Sequence, residues 1–377
     1  MADRVTPGSA AARALYPITE TTIFANHCAA SPLSRRVTEA MGDWLNWWQL
    51  HGGRDDLERP FDAWRQNFAT LIGAQPQEIA FTGNTSEGLL LVANGFPWQA
   101  GDAILTADGE FVANVYPWYQ AELQGVEIIR LPLRENVLHL DQIETALRDH
   151  PNIRLVALSF VSFLTGQQLP LAALGALCHQ YDAYLSIDAI QGAGAFPMDV
   201  GASQVDFLSA GGPKWLMGPI GAGFFYCREA LLPMLRPRHH GWLSVDDPSR
   251  YLDYHRPLSE TASRFEPGTS PWLSLVGLNA SVKTLHEVGI DAIAAHISLL
   301  GDTMRQGLTA RGYELALPDD VLRGGIVAFR HAERDATTIV QALDSHHVTT
   351  SAREGWIRFA PHFYNTVDEV ERTLALL

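Results

Sequence analysis

The chain has 377 residues, a formal net charge of −15, and 47% hydrophobic against 18% charged residues. That balance supports a sizeable buried core and excludes extensive disorder. The acidic excess argues against a nucleic-acid backbone or an anionic membrane as the main partner. Cys28, Cys178 and Cys227 are odd in number and far apart in sequence. They give neither a disulfide framework nor paired metal ligands, and they suit a reducing cytosol. The first residues lack the apolar run of a signal peptide, and no stretch is apolar for long enough to span a bilayer. A cytoplasmic protein is therefore expected.

The opening residues read as a loose polar tail. Trp-rich Thr38–Leu50 and then Phe61–Leu71 read as helices. Apolar runs suited to strands follow at Glu78–Phe81, Ala103–Thr106, Glu127–Leu131, Leu155–Phe160, Ala183–Ile187, Asp206–Ser209 and Gly223–Cys227. Helical patterns fit between several of them, at Ser86–Asn94, Leu140–Arg148 and Leu171–Tyr181. Buried strands alternating with amphipathic helices predict a mostly parallel sheet covered on both faces. Pro233–Pro271, rich in Pro, His, Arg and Trp, breaks that alternation and reads as an irregular crossing. Beyond it a helical stretch (Leu273–Arg311), strands near Gly325–Phe329 and Trp356–Phe359, and a helix from Val367 predict a smaller α+β unit.

Three segments carry candidate chemistry. In SAGGPKWLMGPIGAGFFYC, residues 209–227, Lys214 lies in a glycine-rich turn between two apolar strands. Desolvation there favours a neutral, nucleophilic amine; a solvated loop lysine beside a structural turn fits the segment equally well. Asp188 ends the apolar run AYLSID, at the strand edge where α/β sheets bind ligands. Such a carboxylate can pair with a protonated pyridine nitrogen, or simply cap the next helix. In FTGNTSEGLLLVANG, residues 81–95, a helix start with Thr85 and Ser86 suits a phosphate, or an ordinary N-cap.

Taken in order, TSEG, DAIQGAGA, GGPKWLMGPIGAG, RFEPGT and IRFAPHFYNT resemble the class V, fold-type I pyridoxal-phosphate enzymes. That family includes aminotransferases, cysteine desulfurases, kynureninases and epimerase-like proteins. The resemblance implies a large cofactor domain (residues 21–265) after a tail (1–20), and a small C-terminal α+β domain (266–377). It implies pyridoxal 5'-phosphate held as a Schiff base on Lys214, with Asp188 on the pyridine nitrogen and Gln191 on the ring oxygen. Thr85 and Ser86 would bind phosphate, and Phe111, in GEFVANVYPW, would stack on the ring. Arg358 would grip the substrate carboxylate, which suits a bidentate guanidinium. Thr269 would reach a partner's phosphate site in a homodimer. Trp242, in the crossing, is a candidate for shaping the substrate pocket, and Arg54 is one of several arginines that could meet an acidic substrate group. No metal site is expected, because adjacent His239 and His240 lack further spaced ligands.

The sequence departs from the family pattern at Gly211, Pro213 and Phe163, where Ser, His and Asn are common. Backbone N–H groups, Ser209 or the partner chain would replace the first two contacts, and Ser162 or Thr165 the third. Residues 345–356, SHHVTTSAREGW, contain no cysteine, whereas cysteine desulfurases carry their nucleophilic cysteine on a longer loop before the matching arginine. Transamination of a small amino acid is expected first on the breadth of the family alone, with a β-eliminating C–S or kynureninase-like lyase or an epimerase as alternatives. Persulfide-forming desulfuration is expected to be absent.

Overall fold

The seven apolar runs named above do form one sheet. A computed structural model describes residues 4–52 and 61–377, so Arg54 lies outside the described residues. In chain order the helices and strands are α1 (Ala10–Ala14), β1 (Ile23–Phe24), α2 (Arg35–His51), α3 (Phe61–Ile72), β2 (Ile79–Thr82), α4 (Thr85–Gly95), β3 (Ala103–Ala107), α5 (Tyr116–Glu122), β4 (Glu127–Leu131), α6 (Leu140–Asp149), β5 (Ile153–Ser159), α7 (Leu171–Gln180), β6 (Tyr184–Asp188), β7 (Phe207–Gly211) and β8 (Gly223–Cys227). After the crossing come α8 (Trp272–Val288), α9 (Ile290–Ala310), β9 (Glu314–Leu315), β10 (Val327–Arg330), α10 (Ala336–Ser345), β11 (Val348–Thr349), β12 (Ser351–Arg353), β13 (Trp356–Phe359) and α11 (Val367–Ala375).

The large sheet has the order β2-β8-β7-β6-β5-β3-β4. Only β8 runs antiparallel to its neighbours β2 and β7. Strands β2, β3, β7 and β8 are buried along their whole length, as a sheet covered on both faces requires. In β5, Leu155 and Ala157 pack with Leu89 and Val92 of α4 and Trp118 of α5. Val156 and Leu158 face the opposite layer, with Ile143 of α6 and Leu174 of α7. Each large apolar side chain buried this way stabilises the fold by about 1.5–3 kcal/mol. Helix α4 lies so close to β7 that a Cβ on Gly88 would sit 2.3 Å from Ser209 Oγ. Only glycine allows that approach, and it brings the start of α4 up against the end of β7.

The smaller sheet has the order β12-β13-β10-β9, with antiparallel neighbours throughout. Leu300 and Met304 of α9, Ile339 of α10 and Val370 of α11 cover it. Helix α11 starts in a capping box between Thr366 and Glu369. The expected single stretch Leu273–Arg311 is two helices, because Gly289 adopts φ 92° between them. Helix α8 packs on α2 and α3, and α9 packs on α11 and the small sheet.

The N-terminal residues are not the loose tail expected from their polarity. Tyr16 is buried and stacks on Tyr364 at 4.4 Å, Gly8 N–H donates to Phe363 O, and Arg13 pairs with the Glu369 carboxylate at 2.7 Å. Their partners lie some 350 residues away in sequence, which no local pattern reveals. At the open edge of the large sheet, Arg65 of α3 pairs with Glu266; Arg65 also donates to Ile79 O, and Glu266 accepts from Phe81 N–H. Among the described residues no helix is long and apolar enough to cross a membrane.

Candidate active site

The C-terminal ends of β2, β3, β5, β6 and β7 meet at one place, and each delivers a residue there. Asp188 is the last residue of β6, paired in register with Ser159 of β5 and Ser209 of β7. It is buried, and its Oδ1 accepts from Ile190 N–H at 3.0 Å. Withdrawal from water pushes its carboxyl up to about 6, against the downward pull of that N–H and of Lys214.

Lys214 follows β7 and is half-buried. Burial holds its amine below the ordinary lysine range, opposed chiefly by the Asp188 carboxylate. Its Nζ lies 5.4 Å from the ring centroid of Phe111, which follows β3. Phe111 is 39% exposed and meets the ring of Phe163 edge-on at 5.2 Å. It therefore presents an open aromatic face beside the amine instead of filling a core.

Thr85 opens α4 and is buried, yet its Oγ1 has no hydrogen-bond partner. Gly211 stands opposite: a Cβ there would come within 3.0 Å of that hydroxyl. The glycine that replaces a common serine thus leaves the Thr85 hydroxyl free for another acceptor. Ser86 is half-buried in the same turn. Glu87 occupies the Gly83 N–H at 2.7 Å, and Asn84 caps the Glu87 N–H. The N–H groups of Thr85 and Ser86 at the start of an eleven-residue helix and the two hydroxyls remain as anion donors. An orphaned hydroxyl at a helix start, a buried acid, a desolvated amine and a free aromatic face fit a phosphorylated pyridine aldehyde.

Arg358, on β13, is 2% exposed. It donates to Phe163 O at 2.8 Å and Ser351 Oγ at 3.0 Å, while its Nε has no partner. Among the described residues no carboxylate stands within ion-pair distance of it. An unpaired buried guanidinium is costly, and burial pulls its pKa down; a carboxylate ligand relieves that cost.

Gln191 is buried but committed. Its amide donates to Cys28 O at 3.0 Å and accepts from Trp215 Nε1 at 2.8 Å. Those two bonds tie the N-terminal segment to the lysine loop and leave the second amide hydrogen of Gln191 as a donor. Ser162 is likewise used, accepting from the Leu164 and Thr165 N–H groups, and Ser209 packs under Gly88. Thr269 is exposed on the rim of a cavity of about 530 Å³ that also meets Gly83 and Glu87. Trp242 is exposed, with its ring 6.3 Å from that of Tyr251.

Three features escape the sequence. The N-terminal segment braces the lysine loop: Ser31 donates from N to Pro213 O and from its hydroxyl to Lys214 O. Cys28 lies in that segment, with its Sγ 3.8 Å from Ser351 Oγ. Glu110, next to Phe111, receives hydrogen bonds from Ser159 and Asn114. For Glu110 the available signal is its adjacency to Phe111; for Ser31 and Cys28 the partners are more than 180 residues away in sequence.

The aminotransferase class-V family model matches residues 23–373. The chain belongs to that family. As a class-V enzyme it is a fold-type I protein whose cofactor is pyridoxal 5'-phosphate. It is 29% identical over 364 residues to an uncharacterized aminotransferase of Bacillus subtilis (strain 168), covering 96% of this chain and 95% of the relative. It is 32% identical over 338 residues to a cysteine desulfurase of Klebsiella pneumoniae subsp. pneumoniae, covering 83% and 80%. Among solved structures, the apo cysteine desulfurase of Thermococcus onnurineus NA1 superposes with a TM-score of 0.89 at 28% identity, covering 97% of this chain and 96% of that one. A cystine C–S lyase in complex with its product cysteine persulfide superposes with a TM-score of 0.87 at 25% identity, covering 96% and 98%.

These relatives overturn the expectation of transamination first and of no persulfide-forming desulfuration, since cysteine desulfurases recur among them. The structure supplies the physical reason. The exclusion rests on residues 345–356 lacking a cysteine, but the fold brings Cys28 to Ser351 of that same loop from 323 residues away in sequence.

Proposed function

We propose that this class-V enzyme cleaves the Cβ–S bond of a small sulfur-containing amino acid, cysteine or cystine, as a C–S lyase. The observation that carries the reading is Arg358: a buried guanidinium without a carboxylate partner among the described residues, beside a desolvated lysine, suits an α-amino acid. Sulfur chemistry is supported by the desulfurase and C–S lyase relatives.

In this reading Arg358 takes the α-carboxylate as a bidentate pair. Pyridoxal 5'-phosphate, when bound, supplies the electron sink for the electrons left at Cα. Asp188 would hold its pyridine nitrogen, Thr85, Ser86 and the start of α4 its phosphate, and Phe111 its ring face. Lys214, whose amine burial makes a weaker base than an ordinary lysine, accepts the Cα proton. Sulfur leaves Cβ with the bonding electrons, as sulfide from cysteine or as cysteine persulfide from cystine. The three-carbon remainder hydrolyses to pyruvate and ammonium. Trp242 and the crossing segment would border the substrate entrance.

We assign a homodimer on the exposed Thr269 loop, which borders a cavity at the α4 end that one protomer leaves open. Three free cysteines suit a reducing cytoplasm.

The test is product analysis of purified enzyme with cysteine, with cystine, and with amino acid plus keto-acid pairs. Pyruvate and ammonium should appear in proportion to released sulfide or persulfide. Amino-group transfer to an added keto acid without release of sulfur would sink the proposal. Alanine in place of pyruvate would reject elimination in favour of a protein-bound persulfide.

A further inference from the structure

We propose that Glu110 is a positioning residue whose carboxyl clasps the turn carrying Phe111 to the end of β5, and so aims the aromatic face over Lys214. The inference rests on the cofactor reading of that site and names a residue it does not use.

A ring that is 39% exposed is not held in place by burial; its backbone has to aim it. The turn that does so is closed at both ends. Asn114 N–H donates to Phe111 O at 2.7 Å, and Trp118 Nε1 donates to Asn114 O at 2.8 Å. Asn114 itself is fully buried, and its Nδ2 donates to Glu110 Oε2 at 3.0 Å. The same carboxyl accepts from Ser159 N–H at 2.8 Å and from Ser159 Oγ at 2.5 Å. Three donors from two elements therefore converge on one carboxyl, on either side of the residue that must be aimed.

The anchor point is not arbitrary. Ser159 is the register partner of Asp188, so the clasp fixes the turn to the strand end beside the acid. Among the described residues the charged groups beside Glu110 are Asp188 from β6 and Asp108, which lines with Glu110 a small cavity of about 30 Å³ beside Ser159. Both are acidic. Burial and the Asp188 charge push the Glu110 carboxyl up to about 7, while Ser159 and Asn114 pull it down. Geometry makes the clasp, and the titration near neutrality gives it a signature that packing alone lacks.

The experiment compares wild type with Glu110→Ala, Phe111→Ala, the double variant and Glu110→Gln. It reads the cofactor dissociation constant, the visible circular dichroism of the bound cofactor, and apo-protein melting. Loss of one aromatic stacking contact corresponds to about a threefold to tenfold weakening. Glu110→Ala and Phe111→Ala should each show it, and the double variant should be no weaker than Phe111→Ala. Glu110→Gln, which keeps an acceptor for Ser159, should bind within about threefold of wild type and lose the change in circular dichroism near pH 7. Wild-type binding and dichroism in Glu110→Ala would overturn the inference, and so would multiplicative losses in the double variant. If Glu110→Ala does not fold, a dichroism step near pH 7 that persists in Glu110→Gln overturns it. Unchanged cofactor affinity in Phe111→Ala would instead sink the ring-face assignment of Phe111, and this inference with it.

Discussion

The site has two walls of different origin. One is built from the ends of β2, β3, β6 and β7 and carries Thr85, Phe111, Asp188 and Lys214. The other comes from β13, the β12 residue Ser351 and the N-terminal segment, and carries Arg358 and Cys28. Each residue of the first wall is placed by its own strand and the turn that follows. The second wall is assembled from segments more than 300 residues apart. In the proposed function the first wall would hold the cofactor and the second would meet the substrate carboxylate. A family with many reactions is expected to vary the second wall and keep the first.

The largest effect should come from the first wall. Lys214→Ala should lower turnover on every substrate by about 10³-fold or more, as loss of a general acid–base group does. Borohydride should no longer fix the chromophore to the peptide containing residue 214. A retained reducible chromophore would break the division between the walls at its centre. Asp188→Asn should lower kcat by about 10²-fold, again irrespective of the amino acid supplied.

Changes to the second wall should discriminate between substrates. Arg358→Ala should raise KM for an α-amino acid by about 10- to 100-fold, the worth of a charge-assisted pair, and Arg358→Lys should restore little of it. An unchanged KM would remove Arg358 from the carboxylate role. Cys28→Ala should abolish any alanine formed from cysteine while pyruvate formation persists. An unchanged ratio of the two products would confine Cys28 to packing.

The smallest effect is one of stability. His27 is fully buried, bonded to Ala360 O and the Tyr364 hydroxyl. Burial holds its imidazole down at about 4, against the ordinary 6.5. The unfolded chain takes up that proton first as acid is added. Stability from this group is therefore present in full above about pH 6.5 and lost as the pH falls toward 4. The gap corresponds to about 3 kcal/mol. His27→Gln should reduce the dependence of the urea midpoint on pH across that window, His362 at 5.2 Å being a second buried imidazole held low; an unchanged slope would show that His27 is not an acid-sensitive group of the fold.

The same division explains what is legible in the sequence. Strand existence in the large sheet, and the residues at strand ends, follow from local patterns: an apolar run, then glycines and a single ionisable side chain. Lys214 stands out that way, Asp188 as the acid that closes the run AYLSID, and Thr85 as a small polar residue at a helix start. Gln191 stands out too, but its two hydrogen bonds go to Cys28 and Trp215, a three-segment arrangement that spacing cannot encode. Strands β9, β11 and β12 have two or three residues each, too short for alternation to register. The break at Gly289 is hidden because helical periodicity is nearly continuous across it. Chain order alone also hides the thiol: what matters to Ser351 is which residue lies beside it in space.

The Arg65–Glu266 pair has a consequence for solubility. Strand β2 is the last of its sheet and would otherwise offer Ile79 O and Phe81 N–H to any passing extended peptide. A guanidinium hydrogen meets the first and a carboxylate oxygen the second, so two side chains imitate the missing neighbour strand. Unprotected margins of this kind template intermolecular pairing. A chain altered at Glu266 would regain one, and would be prone to stick to itself long before its chemistry suffered.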